Sequence, residues 1–232
     1  MIDHEQIYRS QADRYDLLVS REDCHGQILP ALRKIRELKG LDVAELGAGS
    51  GRLTAQIAPL AKSVRAFDGS AHMLEYAARK LEKLEISNTI LQEADNRKLP
   101  LENSCVDLAL SGWSIGYFAS PKNPDWRQDV VQALAEMRRI LRPDGTIVIL
   151  ETLGTGYEEP RVPTAELEAY YTYLEEKEGF ERTWIRTDYR FASVEEALRT
   201  IEFFFGEPLS SRVREQKLTV IPECTGIWWR RI

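Results

Sequence analysis

The stretch Leu41–Arg52, with the sequence LDVAELGAGSGR, joins an apolar run to a loop that contains three glycines. The run LDVAEL predicts a buried β-strand, and residues 53–60 after the loop predict a helix. Glycine allows positive φ angles and close approach of a ligand, and a helix N-terminus presents unpaired N–H groups. This strand–loop–helix unit therefore predicts an α/β fold with a ligand site at the loop.

The spacing of the glycines restricts the ligands that the loop can suit. A dinucleotide-binding loop has the pattern G-x-G-x-x-G, whereas this loop reads G-x-G-x-G and places Arg52 where the last glycine would stand. A pyrophosphate ligand is therefore disfavoured, and so is a nucleotide-dependent oxidoreductase. Taken alone, the loop is also compatible with a purely structural turn.

On the C-terminal side of the loop, short apolar runs alternate with helical patterns, which is typical of stacked βαβ units around a parallel sheet. One helix is predicted for residues 71–84 with Ser70 as its N-cap, and a second for residues 125–141, ended by a turn at Arg142–Gly145. The predicted strands are Leu41–Leu46, Ser63–Phe67, Thr89–Glu93, Val106–Leu110 and Thr146–Glu151, with a last one near Gly226–Arg230.

The composition limits the partners and the compartment. A net charge of −6 disfavours nucleic acid as a partner, because binding a polyanion requires a concentrated Lys and Arg surface. No apolar run reaches the roughly 18 residues that a membrane span needs, so we expect no membrane partner and a cytoplasmic protein. The three cysteines lie far apart and the three histidines have no ligand spacing, which predicts a reducing compartment and no metal site.

Acidic residues follow two of the predicted strands. Asp68 ends the second strand about twenty residues after the glycines, where a carboxylate can accept hydrogen bonds from both hydroxyls of a ribose. The alternative is that Asp68 only starts the next helix, but Ser70 already fills that role. Asp95 follows the third strand and can accept a hydrogen bond from an adenine amino group. These positions favour a nucleoside at the carboxyl edge of the sheet.

Four segments in this order resemble the successive motifs of class I S-adenosylmethionine-dependent methyltransferases: ELGAGSGRLT, FDGSAHML, EADNRKLPLENSCVDLAL and EMRRILRPDGTIVILET. The resemblance covers roughly residues 40–152. It implies a doubly wound, Rossmann-like, seven-stranded sheet that is mostly parallel, has a reversed last strand and carries helices on both faces. It also implies S-adenosylmethionine as the cofactor and S-adenosylhomocysteine as the product.

The resemblance assigns expected roles to individual positions. The methionine part of the cofactor would be bordered by Glu45, Gly47, Ala48, Gly49, Gly51 and Ser111, the ribose by Asp68, and the adenine by Met73, Asp95 and Asn96. Near the N-terminus, Arg14-Tyr15-Asp16 resembles the aromatic–acid pair with which small-molecule members cover the cofactor, so Tyr15 is expected to close the site. The alternative is that Tyr15 and Leu18 anchor an amphipathic helix.

The expected domain organisation follows from the length and the resemblance. At 232 residues the chain fits one domain, 1–232, with a single core. We expect an N-terminal helical cap at 1–38, a cofactor-binding core at 40–152, and C-terminal strands and helices with a substrate lid at 153–232. A homodimer is compatible with this organisation.

Few catalytic side chains are expected, because a sulfonium cofactor is already an activated methyl donor and the protein mainly aligns the acceptor. His72 and Tyr117 are the candidate bases by position, although His72 also fits a solvent-facing place in its helix. Trp113 and Tyr117 are expected to contact the sulfonium or an apolar acceptor, with packing as the alternative. The chain lacks the Asn/Asp-Pro-Pro-aromatic motif of DNA amino-methyltransferases after the fourth strand.

The aromatic residues point to an apolar small-molecule acceptor. Thirteen of the 21 lie between Tyr157 and Trp229, in the region expected to enclose the acceptor. Tyr170, Tyr171 and Phe204 are the candidate substrate-binding residues, although the stripe that contains the two tyrosines also fits a core. The functional alternative to an enzyme is a non-catalytic module that binds S-adenosylmethionine, or an inactive partner subunit.

Overall fold

Strands and helices alternate along the computed structural model, which describes residues 4–232. The strands are β1 (Asp42–Leu46), β2 (Ser63–Asp68), β3 (Thr89–Glu93), β4 (Val106–Gly112), β5 (Leu141–Thr155), β6 (Glu181–Arg186), β7 (Tyr189–Arg190), β8 (Val220–Ile221) and β9 (Glu223–Arg231). The helices are α1 (His4–Ser10), α2 (Ala12–Val19), α3 (Ile28–Ile35), α4 (Arg52–Ile57), α5 (Ala71–Lys83), α6 (Trp126–Ile140), α7 (Ala165–Glu176), α8 (Val194–Phe204) and α9 (Leu209–Gln216). A 3₁₀ helix covers Ile115–Phe118.

The main sheet has seven strands in the order β3-β2-β1-β4-β5-β9-β6. Strands β1 to β5 pair in parallel, and β9 runs antiparallel to both β5 and β6. The predicted fold class, a mostly parallel doubly wound sheet with a reversed last strand, is therefore confirmed. The chain proceeds from β1 outward to β3 and then returns to place β4 on the other side of β1, which opens a crevice at their carboxyl ends.

The central strands are apolar on both sides because helices cover both faces of the sheet. On one face, α6 and α7 pack in a cluster that includes Val130, Leu134 and Met137. On the other face, α3 and α4 bury Leu32 and Ile57 against the sheet. The helix predicted for residues 71–84 is α5, and the Ser70 side chain accepts a hydrogen bond from the Met73 N–H, as an N-cap does.

The turn predicted at Arg142–Gly145 takes a different form from the one expected. Strand β5 begins at Leu141, and its register against β4 shifts between the Val106–Leu141 pair and the Leu108–Thr146 pair. The intervening residues bulge outward, with Asp144 at φ +64°. The aspartate and glycine therefore interrupt the pairing without ending the strand.

A third cluster joins the two ends of the chain. Leu18 of α2 is buried with residues of α8, α9 and the small β7–β8 sheet, among them Tyr189 and Ile201. The short strands, β6 and α9 have no counterpart in the sequence predictions, because their apolar patterns are too brief to be distinguished. This packing sets the N-terminal helices and the C-terminal region side by side above the sheet.

Substitution of Trp228 by alanine is expected to reduce the free energy of unfolding by about 3–5 kcal/mol, because it leaves a large cavity. The Trp228 side chain is fully buried, stacks on Tyr171 with ring centroids 4.4 Å apart, and donates from Nε1 to Glu175 at 3.0 Å. Urea denaturation measures the loss.

Trp184→Ala is the matched control, because Trp184 lies on the outer strand β6 and is 39% exposed. We expect it to cost less than about 1 kcal/mol. Equal losses in the two variants would contradict the central role of Trp228 in the core.

Candidate functional site

A cavity of about 820 Å³ opens where the carboxyl ends of β1, β2 and β4 meet. Its lining comes from the glycine loop, the ends of β2 to β4, the 3₁₀ helix and the N-terminal helices: Glu45, 47–50, Arg52, Leu53, 68–70, Met73, 93–96, 112–114, Tyr117, Phe118, Glu5, Tyr8, Arg9, Tyr15 and Val19. The volume lies in the range of small-molecule sites. The glycine loop and Asp68, predicted separately from the sequence, thus share one cavity.

Backbone hydrogen bonds fix the glycine loop against the end of β2. The N–H groups of Gly47 and Ala48 both donate to the Phe67 carbonyl at 2.8 Å, and Gly49 N–H donates to the Asp68 carboxylate at 2.8 Å. Gly47 has a φ of +73°, and a Cβ there would lie 2.0 Å from Ser114 Oγ. Glycine is therefore required at position 47 by both its backbone conformation and its close neighbour.

Asp68 combines a structural role with an open place in the cavity. Its carboxylate accepts from the N–H groups of Gly49 and Ser70, each at 2.8 Å. Burial raises the pKa of the Asp68 carboxyl, and the two N–H donors oppose that rise. A carboxylate has about four acceptor sites, so two remain for hydroxyl groups of a ligand. Because Ser70 caps α5, Asp68 is not needed to begin that helix.

Asp95 and Asn96 line the opposite wall, but Asp95 is already engaged. The Arg97 side chain binds the Asp95 carboxylate through Nε and Nη2 and also pairs with Asp129. These hydrogen bonds hold the pKa of Asp95 below its usual range. Asn96 donates from Nδ2 to Ser114 Oγ at 2.9 Å. The structure places both residues at the cavity and leaves Asp95 with less free acceptor capacity than the sequence suggested.

The acid that precedes the glycines is buried beneath the loop. Glu45 is 1% exposed and accepts a hydrogen bond from Thr54 Oγ1 at 2.5 Å. Burial raises the pKa of Glu45 to about 7. Glu45 can therefore exchange a proton near neutral pH at the base of the cavity.

The expectation that Ser111 contacts the ligand is wrong, because β4 is longer than predicted and includes Ser111. The strand continues to Gly112, and Ser111 pairs with Leu46 on one side and with Ile149 on the other. Its side chain is fully buried, has no hydrogen-bond partner among the described residues and does not line the cavity. The wall begins one residue later, at Gly112 and Trp113.

Five aromatic side chains, His4, Tyr8, Tyr15, Tyr117 and Phe204, form what we call the aromatic lid. Tyr8 packs edge-on against Tyr15 and Tyr117, with ring centroids 5.3 and 5.7 Å apart, and its hydroxyl is hydrogen-bonded to that of Tyr117. Phe204 stacks on His4 at 4.5 Å and tilts against Tyr15 at 5.7 Å. The lid connects α1, α2, the 3₁₀ helix and α8.

The two interpretations of the Tyr15 segment both apply. Leu18 is fully buried in the cluster that joins α2 to α8 and α9, so it anchors the helix. Tyr15 lies on the cavity side, and its Cε1 atom is 3.7 Å from where a Cβ at Gly49 would stand. Tyr15 therefore covers the glycine loop.

Six candidate residues lie outside the cavity lining: Gly51, His72, Ser111, Tyr170, Tyr171 and Phe204. His72 Nε2 accepts a hydrogen bond from the Ala12 N–H at 3.3 Å, which fixes α2 against α5. Tyr170 and Tyr171 are at most 2% exposed in the core, where Tyr171 stacks on Trp228 and donates to the Thr152 carbonyl at 2.7 Å. The expected roles of His72 as a base and of the two tyrosines as substrate-binding residues are corrected accordingly.

Sequence reasoning missed an ion pair at the cavity wall. The Arg52 guanidinium lies 3.9 Å from the centre of the Trp113 ring and forms an ion pair with Glu22. Tyr189 donates its hydroxyl to the same Glu22 carboxylate at 3.2 Å. Arg52 is visible in the glycine motif, but nothing in the sequence pairs it with a residue 30 positions earlier.

A second buried acid supports the 3₁₀ helix that carries Tyr117. Glu151 is 4% exposed and accepts a hydrogen bond from Gly116 N–H at 2.7 Å. A Cβ at Gly116 would lie 2.7 Å from Glu151 Oε2, so only glycine leaves room for the carboxylate. Burial raises the pKa of Glu151 to about 8.

Residues 4–232 contain neither a metal-binding cluster nor a helix that could span a membrane. In that part of the chain, no group of three or more His, Cys, Asp and Glu side chains is arranged to hold a metal ion. None of the helices described there has both the length and the apolar character to cross a bilayer.

Most of the cavity lining falls within a segment that is similar to known proteins, and the N-terminal helices supply the rest. Residues 44–149 match a family model described as a methyltransferase domain. A malonyl-(acyl-carrier protein) O-methyltransferase of Pectobacterium atrosepticum is 30% identical over 151 residues, which are 65% of this chain and 53% of that protein. A demethylmenaquinone methyltransferase of Staphylococcus aureus is 26% identical over 219 residues, 85% of this chain and 83% of that protein.

Solved structures share the fold at low sequence identity. A SAM-dependent methyltransferase from Aquifex aeolicus superposes with a TM-score of 0.56 at 16% identity, covering 98% of this chain and 93% of its own. The structure of a DhpI–SAH complex gives a TM-score of 0.58 at 18% identity, covering 97% and 94%. The chain spans about half the length of the first curated relatives, 53% and 49%.

The pKa of Glu151 predicts a pH dependence of stability. The folded state holds a proton on Glu151 up to about pH 8, whereas the unfolded chain releases it near the ordinary value of a glutamate. The stabilisation from this group is therefore complete below the unfolded pKa and declines as the pH rises towards 8. Glu151→Gln keeps an oxygen for Gly116 N–H and removes the titration.

Urea denaturation of both proteins between about pH 5 and about pH 8.5 checks this expectation. The wild-type protein should lose more free energy of unfolding over that interval than Glu151→Gln does. Contributions from other buried carboxylates, such as Glu45, are common to both proteins and cancel in the difference. Parallel pH profiles would show that Glu151 titrates normally.

Proposed function

Because the chain belongs to the class I S-adenosylmethionine-dependent methyltransferases, we propose that it transfers the methyl group of that cofactor to a small-molecule acceptor. The observation that carries the proposal is the cavity at the switch point of the sheet, where the glycine loop and Asp68 lie beneath the aromatic lid. Cofactor and acceptor must meet in one space for such a transfer, and a cavity of this size and lining supports that arrangement.

The cavity lining fits the cofactor at both of its ends. Gly49 has a φ angle of +54° and no side chain, so the loop can lie against the methionine part. Gly51 lies outside the cavity lining, and a Cβ there would stand 3.1 Å from Ala77 Cβ, so this glycine serves the packing of the loop against α5. Asp68 is available to the ribose hydroxyls, and Met73 with Asn96 borders the expected adenine region. The hydroxyl of Ser50, in the same loop, is buried without a partner among the described residues. When bound, the cofactor supplies a methyl group that is activated for in-line displacement.

The contribution of the chain is alignment and exclusion of water. The lid residues Tyr8, Tyr15 and Tyr117 cover the cavity from the N-terminal helices and the 3₁₀ helix. Tyr117 is 48% exposed, and the packing around its hydroxyl raises its pKa to about 12, so the phenol stays protonated at neutral pH. We therefore assign Tyr117 a hydrogen-bonding role towards the acceptor and propose no general base from this chain.

The proposed acceptor is a small, largely apolar or aromatic molecule that lies beneath Tyr117 and Trp113, with Phe204 at the outer edge of the lid. Its support is the aromatic character of this part of the cavity. Two relatives are named for acceptors of different kinds, demethylmenaquinone and malonyl-(acyl-carrier protein). An acidic chain of net charge −6 remains poorly suited to nucleic acid.

The proposal is tested by measuring S-adenosylhomocysteine formation with a panel of quinols, phenols, carboxylic acids and amines. We expect turnover with at least one apolar member of the panel, and we expect it to persist after exhaustive chelation. Binding of the cofactor without turnover on any class would favour the non-catalytic module. Loss of turnover on chelation, with recovery on adding magnesium, would contradict the metal-free reaction.

Asp68→Ala is expected to weaken binding of S-adenosylhomocysteine by about 1.5–3 kcal/mol, because it removes charge-assisted hydrogen bonds to the ribose. Isothermal titration calorimetry measures the change. Asp125→Ala is the matched control, since Asp125 is exposed before α6 and its side chain makes no capping hydrogen bond. If the Asp68→Ala protein folds and binds S-adenosylhomocysteine as tightly as the wild type, the assignment of Asp68 to the ribose is wrong.

A further inference from the structure

Arg52 is a buried cation in the wall of the cavity. It is the first residue of α4, its side chain is 13% exposed, and it lines the same space as Asp68 and the glycine loop. A guanidinium remains charged even when buried. A permanent positive charge in a site that binds a sulfonium is unfavourable unless negative groups offset it, and Glu22 of the chain provides one such group.

The guanidinium of Arg52 is fixed by two neighbours and keeps one edge unused. Trp113 lies against its face at 3.9 Å, and Nη1 donates to Glu22 Oε2. No oxygen of residues 4–232 accepts a hydrogen bond from Nε or Nη2, and neither atom is among the buried polar atoms that lack a partner. Nε and Nη2 form one edge of the guanidinium, which matches the two oxygens of a carboxylate.

The other charges of the lining show what this edge is suited to bind. The acids Glu5, Glu45, Asp68, Glu93 and Asp95 line the cavity, against the two cations Arg9 and Arg52. Arg9 has a side chain that is 78% exposed and pairs with Glu5. The acids suit hydroxyl groups and cationic groups of a ligand, so Arg52 is the one buried cation in the described lining that can pair with an anionic group.

Two features indicate that the Arg52 arrangement serves binding as well as packing. Trp113 adopts a φ of +50°, a conformation that is rare for a side chain of its size and is typical of functional sites. Glu22 contacts Arg52 and Tyr189 through Oε2 alone, and its Oε1 is buried without a partner among the described residues. An ion pair placed only for stability would be expected to satisfy both oxygens.

We infer that Arg52 binds the methionyl carboxylate of the cofactor through Nε and Nη2, with Glu22 and Trp113 as positioning residues. The inference rests on the proposed function, because it assumes that S-adenosylmethionine occupies the cavity. Arg52 is the residue that makes the loop unsuited to a pyrophosphate. The inference gives it a specific role in binding the amino acid part of the cofactor.

Calorimetry with two probes tests the inference. S-adenosylhomocysteine carries the carboxylate, whereas 5′-methylthioadenosine contains the adenosine and the thioether but lacks the amino acid part. Arg52→Gln should weaken binding of S-adenosylhomocysteine about tenfold or more and leave 5′-methylthioadenosine within about twofold of wild type. Arg33→Gln is the matched control, because Arg33 forms an exposed ion pair with Glu37 on α3.

Two further variants separate binding from folding. Arg52→Lys keeps the charge but not the planar edge, so it should show a smaller loss that is still specific to S-adenosylhomocysteine. Glu22→Gln should act in the same direction, since it releases the guanidinium from its position. Arg52→Lys also provides the measurement if Arg52→Gln fails to fold.

The pattern across the two probes distinguishes the possible failures. Equal weakening of both probes, or no weakening of S-adenosylhomocysteine in either Arg52 variant, would overturn the role of Arg52. Failure of the wild-type protein to bind S-adenosylhomocysteine at all would overturn the proposed function itself.

Discussion

The tie between the glycine loop and the end of β2 is the constraint on which the site depends. Gly47 and Ala48 donate to one carbonyl, that of Phe67, and Gly49 donates to the next side chain, that of Asp68. The chain can turn this tightly because Gly47, Gly49 and Gly51 all have positive φ angles. The same turn brings Gly47 against Ser114, so the ends of β1, β2 and β4 are held within one cavity.

The cover of the cavity depends on contacts between distant parts of the chain. Asp16 of α2 accepts hydrogen bonds from Tyr76 at 3.0 Å and from Lys80 at 2.7 Å, which fixes the N-terminal helices to α5. His72 adds a bond to Ala12 on the same helix pair. With Leu18 buried against the C-terminal helices, α2 is fixed on two sides. The aromatic lid therefore rests on helices that contacts on two sides hold in place.

Buried carboxylates surround the cavity and are placed where they support its walls. Glu45 contacts α4 through Thr54, Glu151 holds the 3₁₀ helix at Gly116, and Glu22 holds Arg52. Burial raises the pKa of each of these acids. Such shifts cluster at functional sites because the groups that order a site must be removed from water. Burying these acids therefore reduces the stability of the fold and maintains the geometry of the cavity.

Local sequence patterns determined the parts of this protein that depend on neighbouring residues. The apolar run before the glycines, the Ser70 cap and the placement of Asp68 all follow from backbone conformation and short-range hydrogen bonds. The order of motifs was sufficient to indicate the family, and with it the reversed last strand. The start of α8 depends on a local contact of the same kind, because the Ser193 side chain accepts a hydrogen bond from Glu196 N–H.

Only the tertiary structure decided which side chains meet. Periodicity placed Tyr170 and Tyr171 on one face of a helix, but it does not say whether that face meets a ligand or, as found, Trp228. The Tyr8–Tyr117 bond and the Arg52–Glu22 pair join residues 109 and 30 positions apart, and nothing local to either partner specifies the other. Such pairings arise from the packing of the whole chain, because the strand order sets which loops lie together and the sequence of each loop does not.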